Sequence, residues 1–206
     1  MNWTLAAAAP LIVGGLFLAT GRIHPAILAY HVLCAVMIFR DQRRIRDWFR
    51  WETSTLRWTV GATVLVLGAL ACGPLIQNPS PDKAVFHRVL FPFGHVRVAF
   101  PIFAVYTLLV HAPLEEIFWR AMVMDPGRPE RGMILAANAL CFGLLHAVPL
   151  GLVLGGRGIL YALPACGAGA LWAFVTFRSR SLWPALVSHW GADAAILAGM
   201  WFFFIR

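Results

Sequence analysis

The segment HAPLEEIFWRAM, residues 111–122, places two adjacent glutamates and an arginine at the end of an apolar run. A charged side chain at the centre of a membrane helix costs about 2.5–3.5 kcal/mol on insertion scales. Glu115, Glu116, Arg120 and, further on, Asp193 would together cost on the order of 10 kcal/mol if unpaired. Such groups either neutralise one another inside a bundle or line a wet cavity with work to do. Helix geometry separates the two glutamates. Glu116 and Arg120 stand at i and i+4, on one face, where an ion pair forms. Glu115 lies about 100° around the helix and is not satisfied by the same geometry. The spacing makes Glu116 and Arg120 a structural clamp and leaves Glu115 as the free carboxylate.

Two further stretches repeat the anomaly. CFGLLHAV puts His146 inside an apolar block, with Phe142 one turn earlier on the same face. SHWGADAA puts His189 and Asp193 at i and i+4, so both point the same way. At 1.5 Å per residue, Glu115, His189 and Asp193 fall about 12–18 Å from the inner ends of their helices, and His146 about 20 Å. The four groups can therefore meet at one level in the bilayer. A carboxylate and a neutral imidazole can share a water and take its proton as it attacks a carbonyl. A second histidine with a polar partner can stabilise the oxyanion. Peptide-bond hydrolysis inside the membrane is the chemistry these parts suit, and it needs no Ser or Cys nucleophile. Ser188 lacks a Gly-x-Ser-x-Gly setting, and there is no Gly-x-Gly-Asp.

The elements that must position these groups follow from composition. Of 206 residues, 60% are hydrophobic and only 13% charged, against about 25% charged in a soluble domain. The apolar residues gather into seven blocks of near membrane-spanning length. They are roughly Trp3–Thr20, Pro25–Phe39, Trp58–Ile76, Val98–Met124, Met133–Val148, Ile159–Phe177 and Leu182–Ile205. This predicts an all-α, polytopic transmembrane bundle of about seven helices (six to eight), forming a single integral membrane domain over residues 1–206. The first block lacks a basic n-region and reads as a retained helix. Cys34, Cys72, Cys141 and Cys166 all lie in apolar blocks without CxxC spacing, and read as reduced packing residues. CGAGA, residues 166–170, reads as a close-packing stripe.

The net charge of +8 is concentrated rather than diffuse. Arg40, Arg43, Arg44, Arg46, Arg50 and Arg57 crowd one connection, which the positive-inside rule makes cytoplasmic. Ile45, Trp48 and Phe49 share a face there, predicting a short amphipathic helix along the anionic leaflet rather than a nucleic-acid site. With seven spans, the N-terminus is cytoplasmic and the C-terminus outside. The basic loops 125–131 and 178–181 then also fall inside, and residues 77–97 outside.

EEIFWR fits Glu-Glu-x-x-x-Arg, FGLLH fits Phe-x-x-x-His, and HWGAD fits His-x-x-x-Asn/Asp. In that order on apolar helices they resemble the CAAX-processing and bacteriocin-processing intramembrane endopeptidases, the Rce-type or Abi family. The resemblance covers about half the chain, residues 98–205, which would be the catalytic core. It implies that Glu115 and His146 activate water and that His189 and Asp193 bind the oxyanion or orient the substrate. Glu116, Arg120 and Phe142 would support the site. Asp193 stands where the prenyl-protein members usually carry Asn. An ionised Asp is a poor oxyanion donor, which leaves a protonated Asp193 or an orienting role towards His189.

The resemblance implies a glutamate mechanism with no cofactor. A divalent metal such as zinc is the alternative, held by His111, Glu115, His146 and His189, although HExxH is absent and Pro113 disturbs the local helix. The expected partners are a membrane-anchored or exported protein substrate and the lipid bilayer, with no nucleic acid. One lysine among seventeen basic residues, with abundant Ala, Gly and Trp, suggests a bacterial inner-membrane protein. The rivals are a non-enzymatic membrane scaffold or immunity factor, and a proton-coupled transporter. Against the last stands the lack of repeated halves or matching broken helices.

Overall fold

A computed structural model describes residues 2–76, 90–91, 95–124, 131–153 and 158–206. Among them every regular element is helical. Helix α1 spans Trp3–Thr20, α2 Ile23–Arg40, α3 Gln42–Arg46 and α4 Thr53–Ile76. A rod over residues 96–123 follows, built from α5 (Val96–Tyr106), a π-helical turn (Thr107–His111), α6 (Ala112–Glu116) and a second π-helical segment (Ile117–Val123). Helices α7 (Arg131–Val153), α8 (Gly158–Ser179) and α9 (Trp183–Met200) complete the bundle, and α9 runs on into a π-helical end, Trp201–Ile205. The connections 77–89 and 125–130, read above as outer and inner loops, lie outside the described residues apart from their ends.

Among the described residues, four helices are long and apolar enough to cross a membrane: Ile23–Arg40, Thr53–Ala71, Val96–Val123 and Gly132–Gly151. Thr4–Thr20 is apolar but shorter. Helix α9 carries Ser188, His189 and Asp193 in place of apolar residues, which lowers its hydropathy. Burial is inverted relative to a soluble protein. Leu11, Phe39, Val98 and Phe203 are each about 70% or more exposed, while Glu115, Glu116, Arg120 and Asn138 are at most 1% exposed. That pattern fits a lipid solvent, where apolar side chains face out and charges face the bundle interior.

Local chemistry explains the helix ends and the irregular turns. The Asn2 side chain caps α1 by accepting from the Leu5 N–H at 3.2 Å. Gly21 closes the same helix in the left-handed region (φ 64°), its N–H bonded to the Phe17 carbonyl. In the rod, the Ala112 N–H reaches back five residues to the Thr107 carbonyl, and Pro113 has no N–H to give. The Leu108 carbonyl is thereby left without a main-chain donor. The Trp190 indole on α9 donates to it at 2.6 Å. A proline-induced wide turn is thus tied to the helix that carries His189.

Helices α7 and α8 pack closely because glycines face them. A Cβ on Gly143 would meet the Cys166 sulfur at 1.9 Å, and one on Gly169 would meet Phe142 at 3.1–3.3 Å. Within the CGAGA stripe, Gly169 makes a close approach and Gly167 faces open space. Cys34, Cys141 and Cys166 are free thiols.

One end of the bundle gathers the N-terminus, the α2–α4 connection and the start of α9. The Asn2 N–H donates to the Val123 carbonyl at 2.8 Å, and the Leu182 N–H to the Trp48 carbonyl at 2.8 Å. Here one expectation changes. Ile45 and Trp48 are each 7% exposed and pack on Ala121, Met122 and Leu182. Their apolar face docks on protein instead of the leaflet, and Arg43 and Arg46 face outward. The nearby side chains of the rod end and α9 offer a drier partner than the headgroup region.

Candidate active site

The rod supplies Glu115, Glu116 and Arg120; α7 supplies Asn138, Phe142 and His146; α9 supplies His189 and Asp193. Glu116 is held on both carboxylate oxygens. Arg120 Nε donates to Oε2 at 3.2 Å, and His189 Nδ1 lies 2.9 Å from Oε1. A carboxylate only accepts, so that histidine nitrogen carries the proton when the carboxylate is ionised. Arg120 also donates through Nη1 to the Asn138 side-chain oxygen, and Asn138 Nδ2 donates to the Trp119 carbonyl at 3.1 Å. Its remaining terminal nitrogen has no hydrogen-bond partner. The guanidinium rests instead near the Phe142 and Trp172 rings, at 5.1 and 5.9 Å. Glu116 and Arg120 form the ion pair that their spacing predicts.

Glu115 is in a different position. It is 1% exposed, and its Oε2 has no hydrogen-bond partner. Two imidazole nitrogens converge on that oxygen, His111 Nε2 at 3.8 Å and His189 Nε2 at 3.9 Å. Asp193 Oδ2 stands 3.6 Å from the same His189 nitrogen and is likewise buried without a hydrogen bond. These separations exceed a direct hydrogen bond and match groups that share a water or a substrate atom. The two glutamates thus straddle one histidine ring, Glu116 on Nδ1 and Glu115 towards Nε2. The sequence alone pairs His189 with Asp193. In the fold, its hydrogen bond goes to Glu116.

His146 Nδ1 lies 2.8 Å from the Phe142 carbonyl, one turn back on the same helix. A carbonyl only accepts, so Nδ1 is the protonated nitrogen of the neutral ring and Nε2 is left as an acceptor. His146 lies within electrostatic reach of Glu115, His111 and His189, though it makes no direct contact with Glu115 among those described. Phe142 packs against His146 (4.5 Å between centroids), Trp119 (5.8 Å) and Trp172 (5.8 Å). Trp172 on α8 stacks on His189 at 4.1 Å and 18°. Ser188 turns away, its hydroxyl bonded to the Pro184 carbonyl at 2.7 Å.

Residues 97–195 match the family model described as Type II CAAX prenyl endopeptidase Rce1-like. This segment is similar to the Rce1-like family. The match contains all three motifs and agrees with the family they resemble, one of CAAX-type membrane proteases. Neither curated proteins nor solved structures give a match.

Within the Rce1-like segment, no group of three or more His, Cys, Asp and Glu among the described residues is arranged to hold a metal ion. The set His111, Glu115, His146 and His189 is not gathered into a cage, and His111 and His189 each have their other ring nitrogen engaged, by His31 and Glu116.

Several site residues escape sequence reasoning. Asn138 carried a signal, as a polar residue in an apolar block. Trp172 and Trp190 carried none, since aromatic residues are ordinary in apolar helices. His31 on α2 lies outside the matched segment, and only the fold brings it beside His111, with 2.9 Å between their ring nitrogens.

Proposed function

We propose that this protein is an intramembrane endopeptidase that hydrolyses a peptide bond of a membrane-anchored or exported protein. The observation that carries the reading is the buried, unpartnered Oε2 of Glu115, faced by two histidine nitrogens beside a fully engaged Glu116. A merely structural carboxylate would be paired like its neighbour.

Glu115 and His146 activate the attacking water. Glu115 takes the proton, and the unprotonated Nε2 of His146 accepts the water's second hydrogen and aims its lone pair at the carbonyl carbon. His189, carrying a proton on Nε2, donates to the carbonyl oxygen as negative charge develops there. Asp193 orients that nitrogen, which suits its position better than donation to the oxyanion itself. Collapse of the tetrahedral intermediate expels the amine, and Glu115 returns its proton to it. Glu116 fixes the His189 ring, Arg120 and Asn138 fix Glu116, and Phe142 and Trp172 hold the two histidines from the side. No cofactor enters the scheme.

The seven-helix arrangement, the 98–205 catalytic core and a bacterial inner-membrane location with a cytoplasmic N-terminus belong to the same proposal. The gathering of the N-terminus, the arginine-rich connection and the start of α9 at one end supports the topology.

The test is a mass-spectrometric census of new protein termini in cells with the wild type, Glu115→Gln or a deletion, at matched membrane levels. Termini produced only by the wild type are expected, each beside a membrane segment of its parent. Identical termini with wild type and Glu115→Gln, alongside a deletion phenotype, would instead make the protein a scaffold or immunity factor.

A further inference from the structure

Outside the three motifs, the bundle interior holds a second polar chain. His31 on α2 is 6% exposed, and both of its ring nitrogens are engaged. Nδ1 meets the Tyr106 hydroxyl, and Nε2 lies 2.9 Å from His111 Nδ1. His111 then presents Nε2 to Glu115 Oε2 at 3.8 Å. The three aromatic rings are tilted against one another, with centroids 5.1 Å apart for His31 and His111 and 5.5 Å for His31 and Tyr106.

Tautomer counting gives this chain a direction. A neutral imidazole has one donor and one acceptor nitrogen. The far end is a carboxylate oxygen, which accepts when ionised. His111 Nε2 must then carry hydrogen, so its Nδ1 accepts from His31 Nε2–H, and His31 Nδ1 accepts from the Tyr106 O–H. Each group satisfies the next, and the last donor points at the oxygen that has no other partner. One bridging water, or a small shift, closes the remaining gap.

We propose that His111 is a third imidazole at the reacting carboxylate, and that His31 and Tyr106 are positioning residues that hold its Nε2–H towards Glu115. The relay holds a donor beside Oε2, the oxygen that has no other partner. It rests on the protease reading above. It also gives the N-terminal part of the chain, outside the Rce1-like match, a role in the chemistry: α2 closes the site from behind through His31.

Two measurements on the full chain test it. The first is NMR of the 15N-histidine-labelled protein in lipid nanodiscs. A coupling across the His31–His111 hydrogen bond is expected, with His111 protonated on Nε2 and a shifted tautomer balance in Tyr106→Phe. The second is the rate at which wild-type-dependent termini appear in the cell's own membrane proteome. Loss of about 100-fold is expected for His111→Gln, in the range of general acid–base groups. His31→Gln is expected to lose about 10-fold, as for groups that orient a functional histidine. The double variant should fall no further than His111→Gln alone, because a relay broken twice is no more broken. Absence of the His31–His111 coupling, or a normal rate in His31→Gln, overturns the relay. A coupling that is present while wild type and Glu115→Gln yield the same termini overturns the protease reading instead, and leaves the histidine pair as a packing contact.

Discussion

Glu115 and Glu116 are adjacent in sequence, equally buried and near the same histidine, yet their surroundings differ in kind. Around Glu116, an arginine, a histidine and, behind them, an asparagine spend their hydrogen bonds on one another. Around Glu115, two histidine nitrogens stand off at 3.8 and 3.9 Å, and Asp193 stands 3.6 Å from the nitrogen of His189, all without closing. Buried polar groups cost least when fully satisfied. A chain that satisfies one glutamate and leaves its neighbour open has placed stability on one side and reactivity on the other. The two sides share His189, so the rigid half sets the geometry of the open half.

Substitutions can separate the two. Glu115→Gln should lower the rate of terminus formation by about 10²–10⁴-fold, the range for a general base, while leaving the thermal midpoint of the purified protein within a few degrees of wild type. A large loss of stability from this change would erase the distinction between the glutamates. Arg120→Met should do the reverse. It strands the Glu116 charge, at a cost of about 3–5 kcal/mol for breaking a buried pair, so membrane abundance and unfolding temperature should both fall. If Arg120→Met keeps its stability and loses only activity, Arg120 belongs to the reactive side.

Smaller effects sharpen how the halves are joined. Trp190→Phe keeps the ring but removes the donor to the Leu108 carbonyl, at about 1–3 kcal/mol for an orphaned acceptor. Its unfolding temperature should drop, with a further loss of turnover because the wide turn that aims His111 is loosened. Unchanged stability would mean that the rod holds its shape without α9. Gly169→Ala presses a methyl to within 3.1–3.3 Å of Phe142. The ring, which touches both His146 and the Arg120 side, must give by a few tenths of an ångström, so a cost of about 1 kcal/mol is expected. The check is a denaturation series in detergent. A stabilising effect would show the α7–α8 contact to be loose.

The sequence by itself determined much of this protein. Apolar blocks of spanning length, interrupted by charges, specify helices in a hydrocarbon solvent, and their helical positions correspond to those of the fold. The i,i+4 rule reads Glu116 and Arg120 as a pair because the interaction is local to one turn. The three motifs carry the family for the same reason, each lying within a few residues. Tertiary structure alone decided the rest. That His189 hydrogen-bonds Glu116 through Nδ1 while Asp193 stands 3.6 Å from its Nε2, that Trp172 stacks on it, and that His31 approaches His111 across 80 residues of chain was decided by how the helices pack. Periodicity says which face of a helix is polar. It does not say which helix that face will meet, because that depends on packing summed over the whole bundle. The apolar face of Ile45 and Trp48 makes the same point: its amphipathic pattern was legible, but only the fold supplied a protein surface for it in place of the lipid.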